Sequence, residues 1–452
     1  MTMDIGETAA APIGRDEFAC LMAAVGPYEK RPRLAVGCSG GADSMALTLL
    51  LHDWATARGG TATALTVDHR LRPDSTAEAD RVAAWLQRRN IPHEILTRPE
   101  TLVDGNLQAV ARAARYDLMS RWCIGHGVLH LGLAHHCEDQ AETVLLRLAR
   151  GSGVDGLSAM APVVETASVR LLRPLLELPK ARLRATLAAT DALHVEDPSN
   201  DNPSFARVRF RQATPLLAAE GLTPKRLCDT ARRMARARQA LDRAAADLLA
   251  RAATLHAEGY GYLDRAALCA APEEIALRAL ARMLGCIGGT PYPPRLERLE
   301  RLYTALTQPV GLPGARTLLG CRIAPVHDQV LICREPRAAK DTLPATGDLL
   351  WDGRFRLTVD GDPRFELRRL GRKGWAEIVK ASPEMRKTAI PAAVRPSLPT
   401  FWHLDVVASV PHLSYVYRGT EFVPPLVREL RFAPVRPLSS ARFAEADSAA
   451  NA

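Results

Sequence analysis

The 452-residue sequence has no CxxC pair, no basic-then-apolar leader and no long apolar run. Its most apolar stretch, Met45 to Leu51, is far shorter than the ~20 residues needed to span a bilayer, so a soluble protein without membrane partners is expected. Nine cysteines stand singly, which argues against a disulfide framework and for reduced thiols in a cytoplasmic setting. Neither charge sign dominates: 59 Lys+Arg against 50 Asp+Glu leave +9, a mild excess that suits a polyanionic partner without requiring one. The one glycine-rich loop lacks both the Lys of a Walker A loop and the glycine spacing of a dinucleotide fingerprint, which excludes those two nucleotide-binding modes.

That loop lies inside Arg33 to Ala55, RLAVGCSGGADSMALTLLLHDWA, which reads as strand, tight loop and helix. Leu34, Val36 and Cys38 suit a buried parallel strand, and Met45, Leu47, Leu49, Leu50 and Leu51 supply a helix's apolar side. Between them, Ser39-Gly40-Gly41-Ala42-Asp43-Ser44 combines two adjacent glycines with two hydroxyls and a carboxylate. The glycines let successive N–H groups point into one concavity at a helix N-terminus, where the dipole and unpaired amides favour an anion. Asp43 can share a divalent cation with phosphate oxygens. A plain turn with an Asp cap is the alternative, and for SGG alone it would be preferred.

From Phe18 to about Arg150 strands alternate with helical patterns, so an α/β fold with a doubly wound, mostly parallel sheet is expected. Candidate strands are Arg33–Cys38, Thr61–Val67, His93–Thr97, Val128–Ala134 and Val169–Leu172; candidate helices are Ser75–Arg89, Leu107–Cys123 and Glu138–Ala149, with Ser75 and Glu78 at capping-box spacing. Ligands of such sheets sit outside the carboxyl ends of the strands, where Ser39, Val67-Asp68-His69 and Ala134-His135-His136 all fall. From Pro179 to Leu306 the strand pattern gives way to helical stretches, notably Thr223–Ala253 and Pro272–Cys286, followed by a hairpin in Gly311–Glu335. The expected division is a catalytic domain over 1–215, a helical domain over 216–336, a small mixed α/β domain over 348–435 and a disordered tail over 436–452.

The second informative stretch is Ala134 to Gly156, AHHCEDQAETVLLRLARGSGVDG. His135 and Asp139 are four apart and Asp139 and Glu142 three apart, which would put them on one face at the start of a helix. An acidic first turn suited to the helix dipole explains the same pattern, as does a His held by a carboxylate. A zinc site has no thiol at ligand spacing and no HExxH.

SGGADS resembles the pyrophosphate loop of the ATP-pyrophosphatase (PP-loop) superfamily, and AHHCEDQAET resembles its partner motif in one member family. Together with Val67-Asp68-His69-Arg70-Leu71-Arg72, Ala111-Arg112-Ala113-Ala114-Arg115-Tyr116, Arg173-Pro174-Leu175-Leu176, Asp197-Pro198-Ser199-Asn200-Asp201 and Phe205-Ala206-Arg207-Val208-Arg209-Phe210-Arg211, the chain resembles the bacterial tRNA(Ile)-lysidine synthetase family from Arg33 to about Arg211. Past Arg211 only the layout matches. The resemblance implies ATP and Mg²⁺ as cofactors, and tRNA(Ile) with a CAU anticodon and free L-lysine as substrates. The cytosine O2 would be adenylated with loss of pyrophosphate, and the lysine amine would then attack C2 and expel AMP. A homodimer is the assembly carried with that expectation, although no residue fixes it.

On the same resemblance, Ser39, Gly40, Gly41, Ala42 and Ser44 would hold pyrophosphate, while Asp43 and Asp139 would be catalytic and metal-linked carboxylates. His135 would orient phosphate or nucleotide, Val67 would meet adenine through its backbone, and Arg112 would face ATP. Arg207 would act in catalysis; Arg115, Tyr116, Glu142, Asp197, Asn200 and Arg209 would bind substrate. Arg112, Arg115 and Tyr116 lie at i, i+3 and i+4, which fits one helical edge but equally a solvated Arg face over a core Tyr. Three positions depart from the family pattern: Arg70, Glu138 and Val208. Arg207, Arg209, Arg211, Lys225, Arg226, Arg232, Arg233, Arg236 and Arg238 form a one-sided basic run that suits RNA phosphates or a solvated helix, and Arg368, Arg369, Arg372 and Lys373 form a second cluster. The rival activities are tRNA thiolation, against which stand Cys38, Cys123 and Cys137 with no close partner and the lack of any CxxC, and a binding module with a decayed nucleotide site.

Overall fold

The computed structural model describes residues 11–68, 75–97, 107–166, 168–195, 206–308 and 314–438. In chain order the first part runs α1 (Arg15–Ala23), β1 (Arg33–Gly37), α2 (Ala42–Thr56), β2 (Thr61–Asp68), α3 (Ser75–Gln87), β3 (His93–Thr97), α4 (Leu107–Gly125), β4 (His130–Gly132), α5 (Cys137–Leu148), α6 (Val154–Leu157), β5 (Val163–Glu165), β6 (Arg170–Leu172), α7 (Lys180–Ala188), α8 (Ala206–Ala219) and α9 (Pro224–Ala252). The backbone divides within α9, between Arg238 and Gln239, into two compact units.

The strands of the first unit form one sheet in the order β3-β2-β1-β4-β6-β5, parallel throughout except for β5 against β6. This is the doubly wound arrangement, and its cause can be read in β1. Leu34 and Val36 are buried in one apolar cluster with Met45, Leu47 and Leu51 of α2 and Leu183 and Leu187 of α7; Ala35 is buried in another with Met119, Cys123 and Leu131. Alternate residues therefore bury opposite faces, and each face needs its own helical cover. The strand order reverses between β1 and β4, so the loops leaving these two neighbours splay apart and open a crevice at their carboxyl ends.

Expected and observed elements agree closely for β1, β2, β3 and α2 to α5. The expected fourth strand contracts to His130–Gly132, and the antiparallel β5 was not foreseen, because a three-residue strand carries too little periodicity. Ser75 donates to Asp68 Oδ1 at 2.8 Å and Thr76 to Asp68 Oδ2 at 2.7 Å, so these hydroxyls tie the start of α3 to the buried end of β2. His69 to Arg72, Asp197 to Phe205 and the end of the tail lie outside the described residues.

In the second unit, Glu273–Gly288 and Leu296–Thr307 are helices packed on a five-stranded antiparallel sheet. Two of its strands, Ala253–His256 and Tyr260–Asp264, lie between the two expected helical stretches, in a region whose sequence shows no strand pattern. Gly259, at φ +78°, turns the chain between them, and the cross-strand rings of His256 and Tyr260 stack at 4.2 Å. A second five-stranded sheet and a three-stranded sheet complete this unit.

At its centre Asp352 accepts from Arg334 Nε and Nη2 at 2.9 and 2.6 Å and from Arg354 Nε at 2.7 Å. Arg354 is fully buried and also donates to the Gly259 carbonyl, while Arg334 reaches the Gly288 carbonyl at 2.6 Å. One carboxylate thus bridges two buried guanidinium groups that crosslink three segments of backbone. Replacing it strands both charges, so Asp352→Ala is expected to destabilise the protein by about 3–5 kcal/mol. Denaturant unfolding measures this, and a loss below about 1 kcal/mol would contradict the cluster's structural role.

Candidate active site

The loop after β1 begins with the Cys38 amide bonded to the Leu65 carbonyl at 2.9 Å, which carries the strand pairing one residue beyond β1. Gly40 has φ +82°, and a Cβ there would lie 2.5 Å from Val82 Cγ2 of α3; its carbonyl accepts from the Val195 amide at 2.8 Å. Gly40 is therefore required both by its dihedral and by close packing. Gly41 is different. It caps α2 in ordinary extended geometry (φ −70°, ψ 159°), and a Cβ would meet only Ser39 Oγ at 3.7 Å, so the expectation of two strained glycines holds for Gly40 alone. Ser44 Oγ accepts from the Ser39 amide at 3.1 Å and donates to the Gly41 carbonyl at 2.9 Å, cross-bracing the loop. No side chain caps α2, so the Asp-cap alternative falls: Asp43 sits in the first turn and turns elsewhere.

It turns toward the chain leaving β4. His136, not His135, is the decisive residue there. It is the N-cap of α5 in extended conformation (φ −128°, ψ −176°), and its amide donates to Asp139 Oδ2 at 3.1 Å in a capping box. Its imidazole Nε2 lies 3.5 Å from Asp43 Oδ2 and 3.4 Å from Asp139 Oδ2, and its Nδ1 lies 3.0 Å from Glu138 Oε2. Asp43 and Asp139, from the first turns of the helices that follow neighbouring strands, therefore meet on one ring nitrogen. Lys180, first residue of α7, adds its Nζ 3.3 Å from Asp43 Oδ2, and its backbone amide donates to Glu138 Oε2 at 2.9 Å.

The protonation states follow from this packing. Burial alone would discharge His136, whose side chain is only 5% exposed, but its bonds to Asp43 and Glu138 and the charges of Asp139 and Asp43 prevail and push its pKa up to about 10. Burial likewise raises the Asp43 carboxyl, yet hydrogen bonding and charge from His136, with Lys180 beside it, hold it below the ordinary carboxylate value. Glu138 is held low by the same His136 bond and the Lys180 amide against the cost of burial. The site is thus an imidazolium and an ammonium surrounded by carboxylates. Even so, Asp43 Oδ1 is buried with no hydrogen-bond partner, and so is Glu142 Oε2. Both point to a ligand that completes them.

The PP-loop domain family matches residues 16–217. The chain is 39% identical to the tRNA(Ile)-lysidine synthase of Ruegeria pomeroyi, across 83% of this chain and 88% of that protein. It is 41% identical to that of Methylobacterium sp. strain 4-46 (73% and 96%) and 32% identical to that of Wolbachia pipientis wMel (86% and 90%). The chain belongs to the tRNA(Ile)-lysidine synthase family.

Other residues expected from the family pattern are distributed unevenly around this centre. The expected helical face of His135 and Asp139 does not form, because α5 starts only at Cys137; His135 lies before it, and its Nδ1 accepts from Arg173 Nε at 3.3 Å. Glu142 is buried and receives Arg211 Nε at 2.8 Å, which takes Arg211 out of the basic run and into the acidic crevice. Glu138, a departure from the family pattern, orients His136; Val208, another, is simply buried in α8. Val67 is half-buried near the end of β2. Tyr116 packs on the Met119 and Leu131 cluster while Arg115 is exposed, and Arg112 is on α4. Arg207 is half-buried and Arg209 exposed on α8. Asp197 and Asn200 lie outside the described residues. His136, Lys180 and Arg211 were not anticipated as site members: a second His beside a motif His and an Arg inside a basic run carry no distinguishing sequence signal.

Cys137 is also repositioned. Its Sγ lies 2.8 Å from Cys228 Sγ of α9, 91 residues away, so the expectation that Cys137 has no partner is wrong, and that argument against thiolation lapses.

The His136 pKa sets a pH test. Its folded value, about 10, lies above its ordinary 6.5, so its ion pairs add stability that is fully present below pH 6.5 and is lost as pH rises through about 10. The difference in unfolding free energy between wild type and His136→Ala should therefore shrink between those limits. A difference constant with pH would mean that His136 is not charged.

Proposed function

We propose that this chain uses ATP to adenylate the wobble cytidine of tRNA(Ile) with a CAU anticodon and then attaches L-lysine at C2, giving lysidine. The observation that carries the reading is the meeting of Asp43 and Asp139 on His136 beside a glycine loop at a helix N-terminus, at the point where the sheet order reverses. Its substrate identity rests on the lysidine synthase relatives.

In this reading the cytosine O2 attacks the α-phosphorus of ATP, and the bond to the β-phosphate breaks. Ser39, Ser44 and the amides of Gly40, Gly41 and Ala42 receive the departing pyrophosphate, because the first-turn amides of a helix have no acceptor within it. Lys180 and His136 supply positive charge next to Asp43, and Arg207 is held for the same polyanion. The amine of lysine then attacks C2 and AMP leaves. Glu142, whose Oε2 lacks a partner, is the carboxylate we assign to the lysine ammonium. Arg115, Tyr116, Arg209, Asp197 and Asn200 are assigned to substrate, and Val67 and Arg112 to the nucleotide.

The donors fit Mg²⁺: Asp43 has an unpartnered buried oxygen and Asp139 is adjacent, while no group of three or more His, Cys, Asp or Glu among the described residues forms a closed metal site. Two carboxylates completed by substrate phosphates are what this ion accepts. Held by Asp43 and Asp139, Mg²⁺ would neutralise charge on the β- and γ-phosphates.

RNA contacts are proposed for Arg232, Arg233 and Arg236, exposed on α9, where Asp229 and Glu177 both pair with Arg232 and offset only part of the charge of the three arginines together. In the second cluster Arg368 stacks on Trp402 at 4.4 Å and Lys373 pairs with Asp405, a further polar surface for the same tRNA.

Asp139→Asn separates chemistry from capping, since the amide oxygen can still accept the His136 N–H. Melting temperature should stay near wild type while tRNA-dependent AMP release falls at least about 100-fold, the scale of a lost catalytic electrostatic partner. Normal AMP release would reduce Asp139 to a cap. Charge reversal at Arg232 and Arg233 should weaken tRNA binding and flatten its dependence on salt, with ATP binding unchanged; an identical salt slope returns α9 to a solvated helix. The overall reading is tested by supplying ATP, labelled lysine, a sulfide donor and candidate tRNAs: lysine label in the digested nucleoside supports it, sulfur incorporation favours thiolation, and tRNA binding without pyrophosphate release favours a binding module.

A further inference from the structure

The Cys137 and Cys228 thiols are placed for a covalent bond that nothing in the proposed reaction uses. Both are free, and their sulfurs are 2.8 Å apart, while Cys228 Sγ also lies 3.1 Å from the Cys137 carbonyl. The frame around them is set by packing. Ala141, Val144 and Leu145 of α5, within about two turns of Cys137, share one buried cluster with Leu227 and Ala231 of α9, which lie within a turn of Cys228, and the Cys137 amide is bonded to the Leu178 carbonyl at 2.9 Å. A disulfide needs about 2.05 Å between sulfurs, so closure asks for a shift under an ångström. Cys137 is the first residue of α5, directly after His136 and two before Asp139. Any shift of its side chain pulls on the turn that holds both.

We propose that Cys137 and Cys228 form a reversible disulfide that locks α5 to α9 and slows the enzyme by displacing His136 and Asp139. The oxidant is a hydroperoxide. Half-buried Cys228 is the accessible partner, whereas Cys137 is 4% exposed. The Cys228 sulfur attacks the distal peroxide oxygen, the O–O bond breaks, and a sulfenic acid forms with release of one water when the oxidant is hydrogen peroxide. The Cys137 sulfur then attacks Cys228 Sγ, the S–O bond breaks, and a second water leaves. Two electrons and two thiol protons pass to the peroxide, and a dithiol reductant reverses the change.

The bond itself is independent of the proposed reaction, whereas its effect on turnover rests on that reading. The experiment treats the full chain with stoichiometric hydrogen peroxide, alkylates remaining thiols and maps peptides by mass. The expected product is a peptide pair joined through residues 137 and 228, lighter by two hydrogens and separated by dithiothreitol, together with a fall in lysidine formation of about tenfold or more that the same reductant restores, since ångström-scale misplacement costs that much or more. Cys228→Ser should retain turnover and lose the peroxide response. The proposal is overturned if the joined peptide is absent, or if it forms and turnover is unchanged. Lack of lysidine formation by the fully reduced protein, with the joined peptide still formed on oxidation, would count against the assigned reaction and not against the disulfide.

Discussion

Two carboxylates brought together in a half-buried crevice repel one another, and the penalty grows as water is excluded. Here a cation is built into the fold to prevent this: His136, charged by the groups it joins, stands between Asp43 and Asp139. Much else follows from it. The imidazole can reach Asp43 only because β4 lies next to β1, and it can be held there only because α5 begins at the next residue and Asp139 closes a capping box on the His136 amide. A fold rule about strand order and a local rule about helix ends meet in one residue.

The surrounding charges form a nearly complete circuit. Glu138 holds the far side of His136 and fixes the start of α7, which in turn delivers Lys180 to Asp43; Arg211 of α8 balances Glu142. Three helices are thereby registered on the site by charge-assisted bonds, which are stronger and more directional than neutral ones. Asp43 Oδ1 and Glu142 Oε2 are left over. A site so thoroughly paired, with two buried acceptors unpaired, has the form of a receptor for cationic groups, in keeping with the metal ion and lysine ammonium proposed for it.

The second unit applies the same physics to structure alone. Asp352 between Arg334 and Arg354 is a fully satisfied buried triad. Its groups bond one another and backbone carbonyls, whereas those of the first unit retain open acceptors. Satisfaction of buried polar atoms separates a scaffold from a site more clearly than charge content does.

The sequence alone determined the doubly wound sheet, the glycine loop between β1 and α2 and the two carboxylates near helix starts, because each is encoded locally: buried runs of period two, an SGG turn between a strand and a helix, and an acid near a helix start. It also determined family, through motifs in a set order. Where the second unit's strands lie was less legible, since Ala253–His256 and Tyr260–Asp264 are stabilised by partners up to 71 residues away, Ile332 opposite Gly261 being the farthest. Only the tertiary structure decided that His136 and not its neighbour bridges the carboxylates, that Arg211 pairs with Glu142, and that Cys137 has Cys228 beside it. Adjacent residues at a strand end point in opposite directions, and a one-residue change in where a helix begins exchanges them. That phase is set by long-range packing, which no local pattern records.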